Sequence, residues 1–179
     1  PDSGNAMKTD EKVQEIGRLR FSGVDGWELS LAWQAAHEKM LEDIEAHREK
    51  DHAYMPVSIS SIPLVRMSRQ LSGRETLDRM GFYENSIGMC GDWCKSGPVY
   101  EIPFGALCSG TVDNLLTAGR TISVSDEIWN ATRVIPPCAV TGEAAGTAAS
   151  MTKDFSTIDI KALQNRLRAG GVRIHENEL

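Results

Sequence analysis

The segment Thr141-Gly142-Glu143-Ala144-Ala145-Gly146-Thr147-Ala148-Ala149-Ser150-Met151 constrains the fold more than any other. Alanine favours helix and Thr141 is an acceptable N-cap after Pro136-Pro137, so a helix is predicted from Thr141 to Met151. Two glycines inside a helix cost roughly 1 kcal/mol each relative to alanine. A helix carrying that cost and so little side-chain bulk implies that something approaches its backbone closely.

The other elements follow from periodicity. Asp25-Gly26-Trp27-Glu28 has the form of a capping box, with Glu28 three residues after Asp25. Leu29, Trp33, Ala36, Met40 and Ile44 then mark one apolar stripe of an amphipathic surface helix packed on a core. Glu38, Glu42, Asp43, Glu45, Arg48 and Glu49 form its charged face, and Pro56 lies beyond its end. From Met55 to Leu107 the helical period disappears. Val57-Ser58-Ile59-Ser60 alternates like a half-buried strand, and Leu64 to Arg69 reads as a second. Glycines at 81, 88, 91, 97 and 105 punctuate further short strands at Ser86–Met89 and Val99–Ile102. Leu115 to Ala118 form an apolar run closed by Gly119, as in a buried strand meeting a tight turn. A last helix, from about Ile158 to Arg168, has Ile160, Leu163 and Leu167 on one stripe and Gly170-Gly171 as its stop. The fold class expected is α+β, with helices at both ends around a mixed, mostly antiparallel sheet. No repeat or low-complexity linker divides the chain, so residues 8–179 are expected to form one unit. Pro1 to Met7 have the look of a vector-derived remnant.

Composition excludes several classes. The formal charge is −6 and no run of Lys or Arg exceeds two, whereas phosphate-backbone binding needs a basic face. No apolar stretch approaches the roughly 20 residues that cross a bilayer, and no signal-peptide pattern opens the sequence. Cys90, Cys94, Cys108 and Cys138 lack the spacing of a zinc or iron–sulfur site and read as buried or half-buried free thiols. A reducing, cytoplasmic setting is expected. His37, His47, His52 and His175 fall on a polar helix face, just beyond it or in the tail. No Ser/His/Asp or Cys/His arrangement recommends hydrolysis.

The chemistry concentrates in two places: the Ala118-Gly119-Arg120 strand end, and the small-residue helix entered through Arg133-Val134-Ile135-Pro136-Pro137-Cys138. A helix N-terminus beside a strand end favours an anionic or electron-rich group. Gly142, Ala144 and Ala145 would let a flat ring or phosphate reach the backbone, although tight packing against protein explains the same composition. Arg133 could meet a carboxylate or oxyanion, or form an ordinary salt bridge. Arg69 and Arg74 could bind an acidic substrate or serve in structural ion pairs. Asp92-Trp93 reads as a turn with a packed indole.

Three motifs together carry a resemblance: Val99-Tyr100-Glu101-Ile102-Pro103-Phe104-Gly105-Ala106-Leu107; Asp113-Asn114-Leu115-Leu116-Thr117-Ala118-Gly119-Arg120-Thr121-Ile122-Ser123; and Arg133-Val134-Ile135-Pro136 through Thr141 to Ala149. With Arg69, Gly73, Arg74, Glu75 and the closing stretch Leu163 to Val172, they resemble the C-terminal region of the FAD-dependent oxidoreductases. That family is related to the glutathione-reductase-like flavoproteins and includes fumarate-reductase-type enzymes. The resemblance runs from roughly Ser22 to Val172. It implies FAD as cofactor, with Gly119, Arg120, Ile122 and Ser123 near the ribityl chain or ring. It also implies that Thr141, Gly142, Ala144 and Ala145 present a helix start to the ring, that Arg133 acts catalytically, and that Arg69 and Arg74 contact substrate.

One departure accompanies the match. The family opens with a Gly-rich strand–turn–helix for the ADP part of FAD, and no G-x-G-x-x-G occurs in this sequence. The chain is therefore expected to be part of a larger FAD-binding α/β fold, with a dinucleotide-binding region as its partner, and to bind FAD poorly alone. The alternative is a non-catalytic module that folds without cofactor and associates through exposed apolar surface, as a homo-oligomer.

Overall fold

The structure is a computed structural model that describes residues 24–61, 67–93 and 95–178. Where the sequence suggests one unit, the chain divides between Ser68 and Arg69 into two. The stretch Pro1 to Met7, and residues 64–66 of the strand expected from Leu64 to Arg69, lie outside the described residues, and residues 67–69 are not strand.

In the first unit, α1 spans Gly26–Arg48. Its start is fixed by Asp25, whose carboxylate accepts the N–H groups of Trp27 and Glu28, both at 2.9 Å. This satisfies two of the donors that a helix N-terminus leaves open. The apolar stripe is only partly covered: Leu29, Met40 and Ile44 are half-buried, while Trp33 and Ala36 are exposed. No residue of α1 is buried. Val57–Ser60 is not a strand; Val57 is fully exposed and the segment has no ladder. Alternation alone cannot make a strand, and among the described residues no strand or bridge pairs with this segment.

In the second unit, β1 (Ser86–Gly91) and β2 (Val99–Pro103) pair antiparallel, with Cys90 opposite Tyr100 and Gly91 opposite Val99. The register slips between Ser86 and Met89, where Gly88 takes φ 152°. The connecting turn holds the Trp93 indole by its Nε1–H on Asn130 O at 2.9 Å, although the side chain is exposed and not packed as expected for Asp92-Trp93. Beyond the hairpin, the described residues form only single bridges: Gly73 to Ser109 and Cys108 to Leu116 antiparallel, and Leu77 to Val124 parallel. The expected α+β class holds, with a smaller sheet. Leu115–Ala118 is a correction: one bridge at Leu116 replaces the buried strand, and Leu115 is 42% exposed.

Three helices complete the unit: α2 (Asp126–Thr132), α3 (Ile135–Met151) and α4 (Ile160–Ala169). α3 packs on β1, and α4 packs on both. Val140 of α3 sits directly over Gly88, where a Cβ would overlap its Cγ1. Asp159 caps α4 through the Ala162 N–H. The helix closes in the Schellman pattern, Val172 N–H on Leu167 O and Gly171 N–H on Arg168 O. Leu163 and Leu167 carry the predicted stripe into a core with Leu77, Ile87, Tyr100, Ile102 and Ile174. Gln164 donates to both Glu84 O and Ser86 O at 2.9 Å, pinning α4 to the start of β1. Among the described residues, no helix is long and apolar enough to cross a membrane.

Candidate functional site

The two segments singled out by sequence do meet, through a contact that the sequence did not show. α3 begins at Ile135, six residues before the expected start, with its prolines in the first turn. Proline suits that position because its fixed φ is already helical and its missing N–H would be unsatisfied there anyway. Thr141 is consequently no N-cap. It lies fully buried inside α3, where its hydroxyl donates to Pro137 O at 2.6 Å. The same oxygen accepts the Gly119 N–H at 2.8 Å. Gly119 has φ 70° and opens the 3-10 turn Gly119–Thr121, and its Cα faces Cys138, whose Sγ would lie 3.3 Å from an added Cβ. The turn is thus clamped to α3 by one buried hydroxyl.

The early start also changes the electrostatics expected of the helix end. Pro136 and Pro137 carry no N–H, so they remove two of the first-turn donors that would otherwise face an anion. What α3 offers instead is a bare surface. Gly142 and Gly146 are both exposed, and a Cβ on either would meet nothing within 4 Å. Ala145 between them is half-buried. A planar ring could lie against this backbone without steric conflict. The residues present therefore fit a flat ring better than a phosphate.

The remaining expected site residues separate by burial. Ile122 and Ala144 are wholly buried in the core, so their side chains meet protein and not a ligand. Ser123 is buried as well; its N–H goes to Ala106 O and its carbonyl accepts Leu77 N–H, while its hydroxyl pairs with Thr76 at 3.0 Å. The side chains of these three residues therefore pack against protein. The Arg120 side chain is exposed, and its carbonyl anchors the Trp129 indole at 2.9 Å. Arg133, half-buried just before α3, donates to Asn130 Oδ1 at 2.9 Å. Arg74 takes the structural role: Nη2 pairs with Asp113 at 2.8 Å, and Nε donates to Ser109 O. Arg69 is exposed.

Sequence reasoning missed a further pair. Glu101 of β2 is buried and accepts the Tyr83 N–H at 2.8 Å and His175 Nδ1 at 3.0 Å. Nothing in the spacing connects residues so far apart. The available signal was a glutamate in an otherwise apolar strand, since a buried carboxylate needs a partner.

The thiols are ordinary. Cys90 and Cys108 are buried and Cys138 is half-buried, all free. Burial pushes the Cys90 and Cys108 thiols up to about 11, the neighbouring Cys138 adding to the effect at Cys90. Among the described residues, no cluster of three or more His, Cys, Asp or Glu side chains could hold a metal ion.

Compared with the curated proteins and with the solved structures, the chain finds no significant match. The comparison with protein families does give one, over residues 83–167. That span takes in the β1–β2 hairpin, the Gly119 turn, α2, α3 and α4 as far as Leu167, which includes both halves of the clamp described above. The family it matches is described as FAD dependent oxidoreductase, so just under half of the chain is similar to that family.

Proposed function

We propose that this chain contributes the ring-facing part of a flavin site in an oxidoreductase. The observation that carries the reading is the Gly119 turn clamped by Thr141 to a helix whose outer face is bare at Gly142 and Gly146. Bound FAD would supply hydride or electron transfer, and the chain's part is to position the ring and tune its surroundings. Gly119 and Arg120 would border the ring or ribityl chain, with Gly142 and Ala145 beneath it. Thr141 acts one step back, by holding the turn in place. Arg133, fixed by Asn130, is the candidate to meet a substrate oxyanion, and Arg69 a candidate for an acidic substrate. The net negative charge supports the absence of a nucleic-acid partner.

Without a Gly-rich phosphate loop for the ADP part, the ring contacts alone would hold flavin weakly. Riboflavin and FAD should then bind this chain comparably, both weaker than micromolar. NMR titration of the 15N-labelled chain with riboflavin tests the placement. Shifts should concentrate at 119–121 and 142–146, and Gly142→Val should suppress them, since the added side chain fills the open space. Shifts elsewhere, or shifts indifferent to Gly142→Val, overturn the reading.

A second reading, association of the chain as a homo-oligomer, is favoured by exposed apolar side chains in the second unit: Ile135 at 84% and Phe82 at 63%. Light scattering at high concentration tests it, and a clean monomer would remove it.

A further inference from the structure

The residues lining the Glu101–His175 recess include none of those assigned to flavin or substrate above. A recess of about 410 Å3 is lined by Gly81, Phe82, Val99, Glu101, His175 and Glu176, among others, within the size range of small-molecule sites. Glu101 lies at its base, its side chain 5% exposed, and holds His175 Nδ1 at 3.0 Å. A carboxylate only accepts, so Nδ1 carries the proton, and in the neutral form of the ring Nε2 is the acceptor. Among the described residues Nε2 has no hydrogen-bond partner. The Phe82 ring stacks on the imidazole with centroids 5.0 Å apart and planes at 28°, yet Phe82 remains 63% exposed. An aromatic surface and a fixed acceptor therefore adjoin one another at an open recess.

The surrounding charge narrows the ligand. Glu101 and Glu176 line the recess. Arg168 is taken up by the Glu178 carboxylate at 2.7 Å, and Arg173 by the Glu178 carbonyl. An anion would meet two carboxylates and no uncommitted guanidinium. We infer that this recess binds a planar aromatic molecule bearing an uncharged or cationic N–H or O–H donor, its ring against Phe82 and its donor on His175 Nε2.

The test uses the whole chain and three single-ring probes: phenol, toluene and benzoate. Phenol should shift the His175 imidazole and Phe82 ring resonances saturably, and toluene, which lacks the donor, should bind about tenfold more weakly. Benzoate should bind no better than toluene. His175→Phe should abolish the preference for phenol over toluene. Phe82→Ala, at an exposed position the fold tolerates, should weaken both. Equal titration by phenol and toluene, benzoate binding tightest, or no saturable shift at His175 would each overturn the inference. The probe contrast stands on the wild-type chain, so it holds even if His175→Phe fails to fold.

Discussion

Thr141→Val replaces a buried hydroxyl with a methyl group of nearly the same size, so it tests the clamp with little change in packing. The hydroxyl makes two contacts, donating to Pro137 O at 2.6 Å and accepting Gly119 N–H at 2.8 Å. Pro137 O belongs to the helix ladder and remains served by the backbone, so the first loss is small. Gly119 N–H loses its partner in a half-buried turn, and leaving a buried donor unsatisfied costs about 1–3 kcal/mol. Thr141→Ser keeps both hydrogen bonds and loses one methyl, about 1 kcal/mol. Global stability alone therefore separates the two variants poorly. Amide hydrogen exchange at Gly119 separates them well. In Thr141→Val its protection should fall by about tenfold or more beyond the change in global stability, each factor of ten being about 1.4 kcal/mol. In Thr141→Ser it should follow global stability, with amides of the β1–β2 hairpin as the internal reference. Equal Gly119 protection in both variants would refute the clamp, and the positioning role of Thr141 with it.

Other expected outcomes follow from packing and titration. Gly88→Ala should cost about 1–3 kcal/mol in urea unfolding through overlap with Val140, and more from forcing alanine to φ 152°; Val140→Ala in the same chain should recover the overlap part only. Ser125 Oγ is buried with no hydrogen-bond partner among the described residues and makes no cap bond at α2, so Ser125→Ala should be neutral or slightly stabilising. By contrast Asp159→Ala, which removes a cap bond, should cost about 1 kcal/mol in the same melts. Alkylation at mildly alkaline pH, read by peptide mass, should label Cys138 before Cys90 and Cys108. The folded state holds the two buried thiols protonated above the unfolded value of 9.0, up to about 11. Their contribution to stability is complete below pH 9 and is lost as pH rises toward 11, because the unfolded chain releases those protons first. Denaturant midpoints that stay flat across that window, once Tyr and Lys titration is controlled by a double Cys→Ala variant, would contradict it.

What the sequence determined by itself was mostly local. Asp25 marked a helix start because a short carboxylate can reach N–H groups two or three residues on, a geometry set by the chain alone. The hairpin strands and the α4 stripe were legible from period, and Gly170-Gly171 from the chemistry of helix ends. The resemblance was legible in three motifs, all lying wholly within residues 83–167. Tertiary structure decided the rest. Val57–Ser60 alternates like a strand, but among the described residues no strand pairs with it. Pro136-Pro137 looked like the boundary before a helix and is its first turn, since proline is excluded from helix interiors and not from their beginnings. That shift of six residues moved Thr141 from a cap to a buried clamp and stripped donors from the helix end. Ile122, Ser123 and Ala144 turned out to be buried, because which side of a segment faces inward depends on what packs against it. The Glu101–His175 pair was the least legible, because 74 residues separate two groups that only the packing of the tail against the hairpin brings to 3.0 Å.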